Sequence, residues 1–275
     1  MALTQQEKCV RFRALHEGPG AFVIPNPWDG GSAKVFASLG FKALATSSSA
    51  AAGTLGRRDG QMTRDEALAH ARVIVEATDL PVSADLERCF ADDPAGVAET
   101  VRLAAGVGLA GCSVEDATGK ADAPIYDLKL ATERVAAAVK AAKALPVAFV
   151  LTARCENFVR GKNDLADTIA RLQAYQKAGA DVLMAPGLPD LEAVRAVCKA
   201  IDRPFNFMAG IRGKSFPVAD LAAAGVRRVS TAGSLHRAAM SGLIEAAREL
   251  AEHGTFGYTD HGISSKEWVD LLGSK

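Results

Sequence analysis

Acidic residues close several otherwise apolar runs in this chain. Ala84-Asp85-Leu86-Glu87 ends a run that begins at Pro81, Val114-Glu115-Asp116 ends a second, and Thr152-Ala153-Arg154-Cys155-Glu156 ends a third. Alternate side chains of an extended strand share a face, so Asp85 and Glu87 are expected side by side. Such a pair is either solvated at a loop mouth or arranged for a divalent cation, because hard cations take carboxylate oxygens and keep several waters. Arg154 follows apolar residues, where an unpaired charge is costly, so it needs a partner. Glu115 or Glu156 would make that partnership structural, and an anionic ligand would make it functional. Ser47-Ser48-Ser49 precedes Ala50-Ala51-Ala52-Gly53, an uncrowded stretch whose amides could approach a ligand. Taken alone, the same run reads as a small-residue turn.

An alternation of short apolar strands and helices must position these groups. A leader helix over about Thr4 to His16 precedes a strand at Ala21–Pro25, the turn Asn26-Pro27-Trp28-Asp29, and a helix stopped by Gly40. Strands follow at Lys42–Thr46, from Pro81, at Ala110–Val114, Pro146–Thr152, Asp181–Met184, Pro204–Met208 and Arg227–Thr231. Thr63 with Glu66 forms a capping box at one helix start. Near-continuous apolar strands, each followed by a helix, imply parallel pairing buried on both faces. Eight such units imply an α/β fold of the (β/α)8 TIM-barrel type, as a single domain over 1–275, and an open doubly wound sheet is its competitor. Beyond the barrel lie a leader helix (1–20), a long extra helix over Leu235–Glu252, and a tail (254–275) with helical pattern at Lys266–Leu272 that must pack on something.

In barrel enzymes the reactive groups follow the strands, at one end of the barrel. The strand ends here collect Asn26, Trp28, Asp29, Ser47, Ser48, Asp85, Glu87, Glu115, Arg154 and Asn206, a set suited to a metal-bound anion. Trp28 on its own reads as a packing residue ahead of a ligand contact. The five histidines fall on helices or in the tail, so a histidine base is not expected. No serine–histidine pairing and no GxxxxGK[ST] loop occurs, which argues against triad hydrolysis and a P-loop nucleotide site.

Composition narrows the classes further. With 32 basic and 32 acidic residues in 275, the zero net charge gives no electrostatic case for nucleic acid or an anionic membrane as partner. Five scattered cysteines without CxxC spacing point to a reducing compartment, and no apolar run is long enough to span a bilayer. A cytoplasmic location is expected.

Several motifs together resemble the isocitrate lyase and phosphoenolpyruvate mutase superfamily. They are Asn26-Pro27-Trp28-Asp29-Gly30-Gly31-Ser32-Ala33, Thr46-Ser47-Ser48, Gly56-Arg57-Arg58-Asp59, the pair Asp85 and Glu87, Val114-Glu115-Asp116 and Thr152-Ala153-Arg154. The resemblance covers about Phe22 to Met240. It implies a magnesium-dependent enzyme, with manganese as a substitute, that makes or breaks a carbon–carbon or carbon–phosphorus bond beside an α-oxo acid. On this resemblance Asp85 matches the direct metal ligand, with Glu87 and Glu115 reaching the metal through water. Asp59 matches an acid that contacts metal-bound water or the reacting group. Ser47 and Ser48 match the turn that binds the substrate's carboxylate and oxo group, Trp28 and Asp29 its surroundings, and Arg154 the arginine that clamps its carboxylate. Lys120 stands near the lysine of the K-x-C-G-H loop of the tricarboxylate lyases, but Ala121-Asp122-Ala123-Pro124 supplies none of that loop's other groups. Glu87 and Arg88-Cys89-Phe90 also depart from the family pattern. Arg88 reads either as a solvated loop residue or as a partner for a second carboxylate.

The expected function is therefore a magnesium-dependent lyase of a small α-oxo or 2-hydroxy acid. The alternatives are phosphonopyruvate hydrolase or mutase chemistry, and an oxo-acid-binding protein with little catalysis. The resemblance also implies a homo-oligomer, a dimer of dimers, with a C-terminal helix exchanged between subunits.

Overall fold

The computed structural model describes residues 3–273. Its strands are β1 (Phe22–Ile24), β2 (Leu44–Ala45), β3 (Val82–Asp85), β4 (Gly111–Glu115), β5 (Val150–Arg154), β6 (Val182–Met184), β7 (Phe205–Met208) and β8 (Arg228–Ser230). All pair in parallel, in the order β1-β8-β7-β6-β5-β4-β3-β2. The two end strands meet where Ala45 N–H donates to Pro25 O at 3.1 Å, which brings the sheet round to a nearly closed barrel. The expected (β/α)8 architecture is the one observed.

Helices surround the sheet. The leader helix α1 (Gln5–Glu17) precedes α2 (Gly30–Ser38), α3 (Ser48–Thr54), α4 (Arg64–Ala77) and α5 (Pro94–Gly106). Then come α6 (Leu128–Lys143), α7 (Leu165–Ala178), α8 (Leu191–Ala200) and α9 (Val218–Ala223). Most start on a side chain that satisfies a free amide, such as Asp93 ahead of Pro94, Asp127, Asp164 and Asp190. The helices α3 and α5 go beyond the periodic elements expected from sequence. The first grows from the serine run, with Ser47 as its cap. The long helix α10 (Ser234–His253) buries none of its residues, and α11 (Ser265–Leu272) lies against α2 with Trp268 over Gly31. Among the described residues no helix is long and apolar enough to cross a membrane.

One end of the barrel is plugged by α1. Phe12 and Cys9 join Ile24, Ala43, Ala110, Val150 and Val182 in a fully buried cluster. Gly111 is required there, because a Cβ would stand 2.4 Å from Val150 O and 3.1 Å from the Phe12 ring. Polar groups lie within this end of the barrel. The Arg228 side chain donates to Asn206 Oδ1 (2.7 Å) and Thr152 Oγ1 (2.9 Å) and meets His16 Nε2 at 3.3 Å. Burial and the Arg228 charge push His16 down to about 3, so the imidazole is neutral and can accept from that guanidinium.

Two local expectations are corrected. β5 begins at Val150 rather than Pro146, because Phe149 N–H turns back to Val147 O (2.8 Å) before the ladder with β4 starts. Glu87 lies beyond β3 at φ 51°, and Cys89 (59°) and Phe90 (54°) share the left-handed conformation. Asp85 and Glu87 therefore do not share a strand face; the backbone turns between them. Left-handed non-glycine residues persist only where their surroundings hold them. Here the holder is Arg134 of α6, 1% exposed, whose guanidinium donates to the carbonyls of Arg88, Ala91 and Asp92 and rests 4.3 Å over the Tyr126 ring.

Arg134→Met should leave three carbonyls of that turn without their donor and cost about 3 kcal/mol, at roughly one per lost bond. Urea denaturation measures the loss, and faster amide exchange confined to residues 87–92 would localise it.

Candidate active site

The C-terminal ends of β2 to β5 converge on one acidic and basic cluster. Asp85, the last residue of β3, has its amide held by Thr46 Oγ1 at 3.0 Å. Its carboxylate receives Ser48 N–H (3.3 Å) and Ser48 Oγ–H (3.1 Å) on one oxygen. The other oxygen receives Glu87 N–H (3.3 Å) and lies 3.6 Å from Arg154 Nη1. Residues 48, 85 and 154 are thus brought together as the sequence suggested. The Ser48 amide points at Asp85, however, and the Ser47 hydroxyl is engaged with Ser49 Oγ at 3.1 Å.

Arg154 lies at the centre. Its Nε donates to Glu156, and its Nη1 is 3.6 Å from Glu115 as well as from Asp85. Arg160, absent from the expected set, closes the arrangement by standing 3.6 Å from Glu115 and 3.4 Å from Glu156. The result is a ring of alternating charge, Arg154–Glu115–Arg160–Glu156. Of the alternatives for the Arg154 partner, the structural one is observed, with Glu115 and Glu156 together. Burial acts to lower the Arg154 pKa, but Glu156, Glu115 and Asp85 outweigh it and raise it, so the guanidinium stays charged. Burial, together with Glu156, pushes the Glu115 carboxyl well up, and Arg154 and Arg160 only partly oppose this.

A cavity of about 290 Å³ opens beside the ring, lined by Ser48, Asp59, Glu87, Arg88, Glu115, Gly119, Arg154 and Arg160, among others. A narrower one descends into the barrel past Asn26, Ser47, Asp85, Arg154, Asn206 and Arg228. Asn206 therefore faces the interior, donating to Ser230 Oγ at 3.0 Å. Asp59 shares the upper cavity with Glu87, whose Oε2 would stand 3.9 Å from a Cβ at Gly60. Burial, then Asp85 and Asp59, raises the Glu87 carboxyl to about 7.

Three expected residues line neither of these cavities. The Asp29 carboxylate caps α2 by accepting Ser32 N–H at 2.7 Å, and Trp28 packs edge-on against Phe36 and His236. Lys120 is mostly exposed and pairs with Asp92 at 3.7 Å. Its segment is pinned at the base by an antiparallel bridge between Ala117 and Ile125. Asp116 serves the frame instead, accepting from Arg171, Tyr175 and Glu156 N–H.

The donor chemistry fits a hydrated divalent cation. Asp59, Asp85, Glu87 and Glu115 lie together near the cavity, and two of them are held above their usual range by burial and by one another's charge. A cation would relieve that repulsion. Among the described residues no three such groups close on one point, so the ion would take few protein oxygens and keep most of its waters, as magnesium does.

Comparison with known proteins bears on the family and the fold. The family model for phosphoenolpyruvate phosphomutase matches residues 12–251. A 2,3-dimethylmalate lyase of Eubacterium barkeri is 29% identical over 96% of this chain and 93% of that protein. A solved structure from Burkholderia cenocepacia, described as a candidate lyase/mutase, is 50% identical with a TM-score of 0.96, over 98% of this chain and 97% of that one. Oxaloacetate acetylhydrolase in complex with its product oxalate is 25% identical with a TM-score of 0.88, over 98% and 95% of the two chains.

Glu87 provides a test of the site's electrostatics. The folded carboxyl keeps its proton up to about 7, whereas the ordinary value is 4.5. The folded state then binds more protons across that window, so stability of the metal-free protein falls as pH rises through it. Glu87→Gln should flatten this loss in urea titrations at about pH 5 and about pH 7.5. An unchanged pH dependence would mean that Glu87 is ionised throughout.

Proposed function

The chain belongs to the isocitrate lyase and phosphoenolpyruvate mutase superfamily, and on that premise we propose that it is a magnesium-dependent lyase acting on a small α-oxo or 2-hydroxy carboxylic acid. The observation that carries this reading is the convergence of Ser48, Asp85, Glu115 and Arg154 beside one cavity. Asp85 would hold the ion directly, with Glu87 and Glu115 reaching it through water. When bound, magnesium supplies Lewis-acid stabilisation of the negative charge that develops on the oxo oxygen as the neighbouring bond breaks.

The chain's own groups divide the remaining work. Arg154 offers its Nη1 edge to the substrate carboxylate once Asp85 and Glu115 are engaged elsewhere. Arg160 keeps Glu115 and Glu156 neutralised while that happens, so no buried carboxylate is left without a cation. Ser48 holds the Asp85 carboxylate in position through its amide and hydroxyl. Glu87, beside Asp59 and Gly60 in the same cavity, would hold the water through which it reaches the ion. The segment 117–126 overhangs this cavity through Ala117 and Gly119 and limits access of water.

Asp85→Ala should abolish magnesium-dependent binding of oxalate, read by calorimetry with and without the metal; unchanged affinity would refute the metal assignment. Turnover is tested on oxaloacetate, 2,3-dimethylmalate, 2-methylisocitrate and phosphonopyruvate. Release of an oxo acid from one of the first three supports the lyase reading, and turnover of phosphonopyruvate alone replaces it with carbon–phosphorus chemistry.

We also propose a homo-oligomer. The helix α10 leaves Leu243, Ile244 and Leu250 exposed, and Phe256, Ile263 and Val269 follow in the tail, a stretch of apolar surface unusual for a monomer. Light scattering should give a multiple of the 28.7 kDa chain mass, and a monomer would contradict this.

A further inference from the structure

The strained turn after β3 has a cost that the metal side of the cavity does not explain. Glu87, Cys89 and Phe90 adopt φ of 51°, 59° and 54°, and Arg134 is committed to the carbonyls of Arg88, Ala91 and Asp92. The effect is to fix Arg88 in the wall of the 290 Å³ cavity, opposite Gly119. A side-chain carbon at Gly119 would come within 3.2 Å of Arg88 Nη1, so the segment across the cavity leaves room for that guanidinium. Arg88 Nε is buried yet has no hydrogen-bond partner; the nearest carboxylate, Asp92, is 3.6 Å away. Asp92 is shared, since Lys120 Nζ lies 3.7 Å from its other oxygen and the Tyr126 hydroxyl donates to it. The Tyr126 hydrogen bond, then Lys120 and Arg88, keeps Asp92 ionised below its usual range. Two cations thus share one carboxylate at the mouth, both at distances longer than a hydrogen bond.

We propose that Arg88 and Lys120 form the subsite for a second anionic group of the substrate, with Asp92 as the resting counter-ion. The inference rests on the oxo-acid reading above and sharpens it: the substrate is a dianion whose chelating end meets Asp85 and Arg154 and whose far end meets Arg88. The arriving anion takes the Nη1 edge of Arg88 that faces Gly119 and draws Lys120 from Asp92. Asp92 keeps the Tyr126 hydroxyl and so is not left bare. A carboxylate and a phosphonate offer the same charge-assisted acceptors, and the geometry serves either.

The test compares ligands that differ only at the far end. Calorimetry with magnesium present compares malate with lactate, and phosphonopyruvate with pyruvate, on the unaltered protein, Arg88→Met, Lys120→Met and Asp92→Asn. The unaltered protein should prefer the dianion of each pair by about tenfold or more, as one charge-assisted contact allows. Arg88→Met should remove most of that preference and Lys120→Met part of it. Asp92→Asn, which removes the competitor but keeps an acceptor for Tyr126, should increase it, a direction that mere damage to the turn would not give. The pair whose preference depends more on Arg88 identifies carboxylate or phosphonate as the natural group. An equal loss for both members of each pair, or a preference indifferent to Arg88, overturns the subsite. If oxalate binds the unaltered protein with magnesium but neither dianion is preferred, the subsite alone fails. If oxalate does not bind at all, the oxo-acid reading fails with it.

Discussion

Arg154 is a largely buried cation at the end of a barrel strand, its side chain 13% exposed, and the upper half of the molecule is arranged to make that tolerable. A lone guanidinium at this depth would be prohibitively desolvated. Three carboxylates surround it, contributed by β3, β4 and the turn after β5, and a second arginine prevents those carboxylates from becoming the next problem. Removing either arginine would leave carboxylate charge uncompensated, which is the expensive way to break a buried pair. The arrangement therefore fixes how the ends of three strands must sit relative to one another.

That constraint explains why the site is both rigid and poised. Carboxylates in excess of cations give the cavity a standing attraction for a positive ion, expressed in the raised Glu87 and Glu115 carboxyls. An ion that draws Asp85 and Glu115 toward itself loosens their hold on Arg154. Cation and substrate carboxylate are then complementary rather than competing occupants, each making the other's place less costly to fill.

Much of this was legible in the residue pattern, and the reasons for success and failure differ. The barrel followed from apolar strands punctuated by helices, a long-range consequence of burial on both faces of a parallel sheet. Asp85, Glu115, Arg154 and Ser48 were expected together because strand ends are where a barrel places its chemistry, and they do stand together. Glu87 was misjudged in geometry: the period-two rule assumes a strand, and a distant arginine on α6 imposes a left-handed turn that no local pattern announces. Arg160 escaped notice because its role depends on a single 3₁₀ turn, Asn157–Arg160, that folds it back over Glu156. Arg228 carried a signal that went unused, a charge within an apolar strand of a barrel, where side chains alternate between lumen and shell. Trp28 and Asp29 show the reverse: chemistry-bearing residue types used for packing and helix capping.

The Arg134 clamp has a consequence for how such a site can change over time. Because it grips carbonyl oxygens, it constrains the path of the chain from Arg88 to Asp92 without regard to which side chains that path carries. Shape is thereby uncoupled from identity along one wall of the cavity. A lineage that keeps Arg134 can exchange the residue at position 88 and inherit an unchanged scaffold for it, so one end of the pocket can drift while the end beside Asp85 and Arg154 stays as it is.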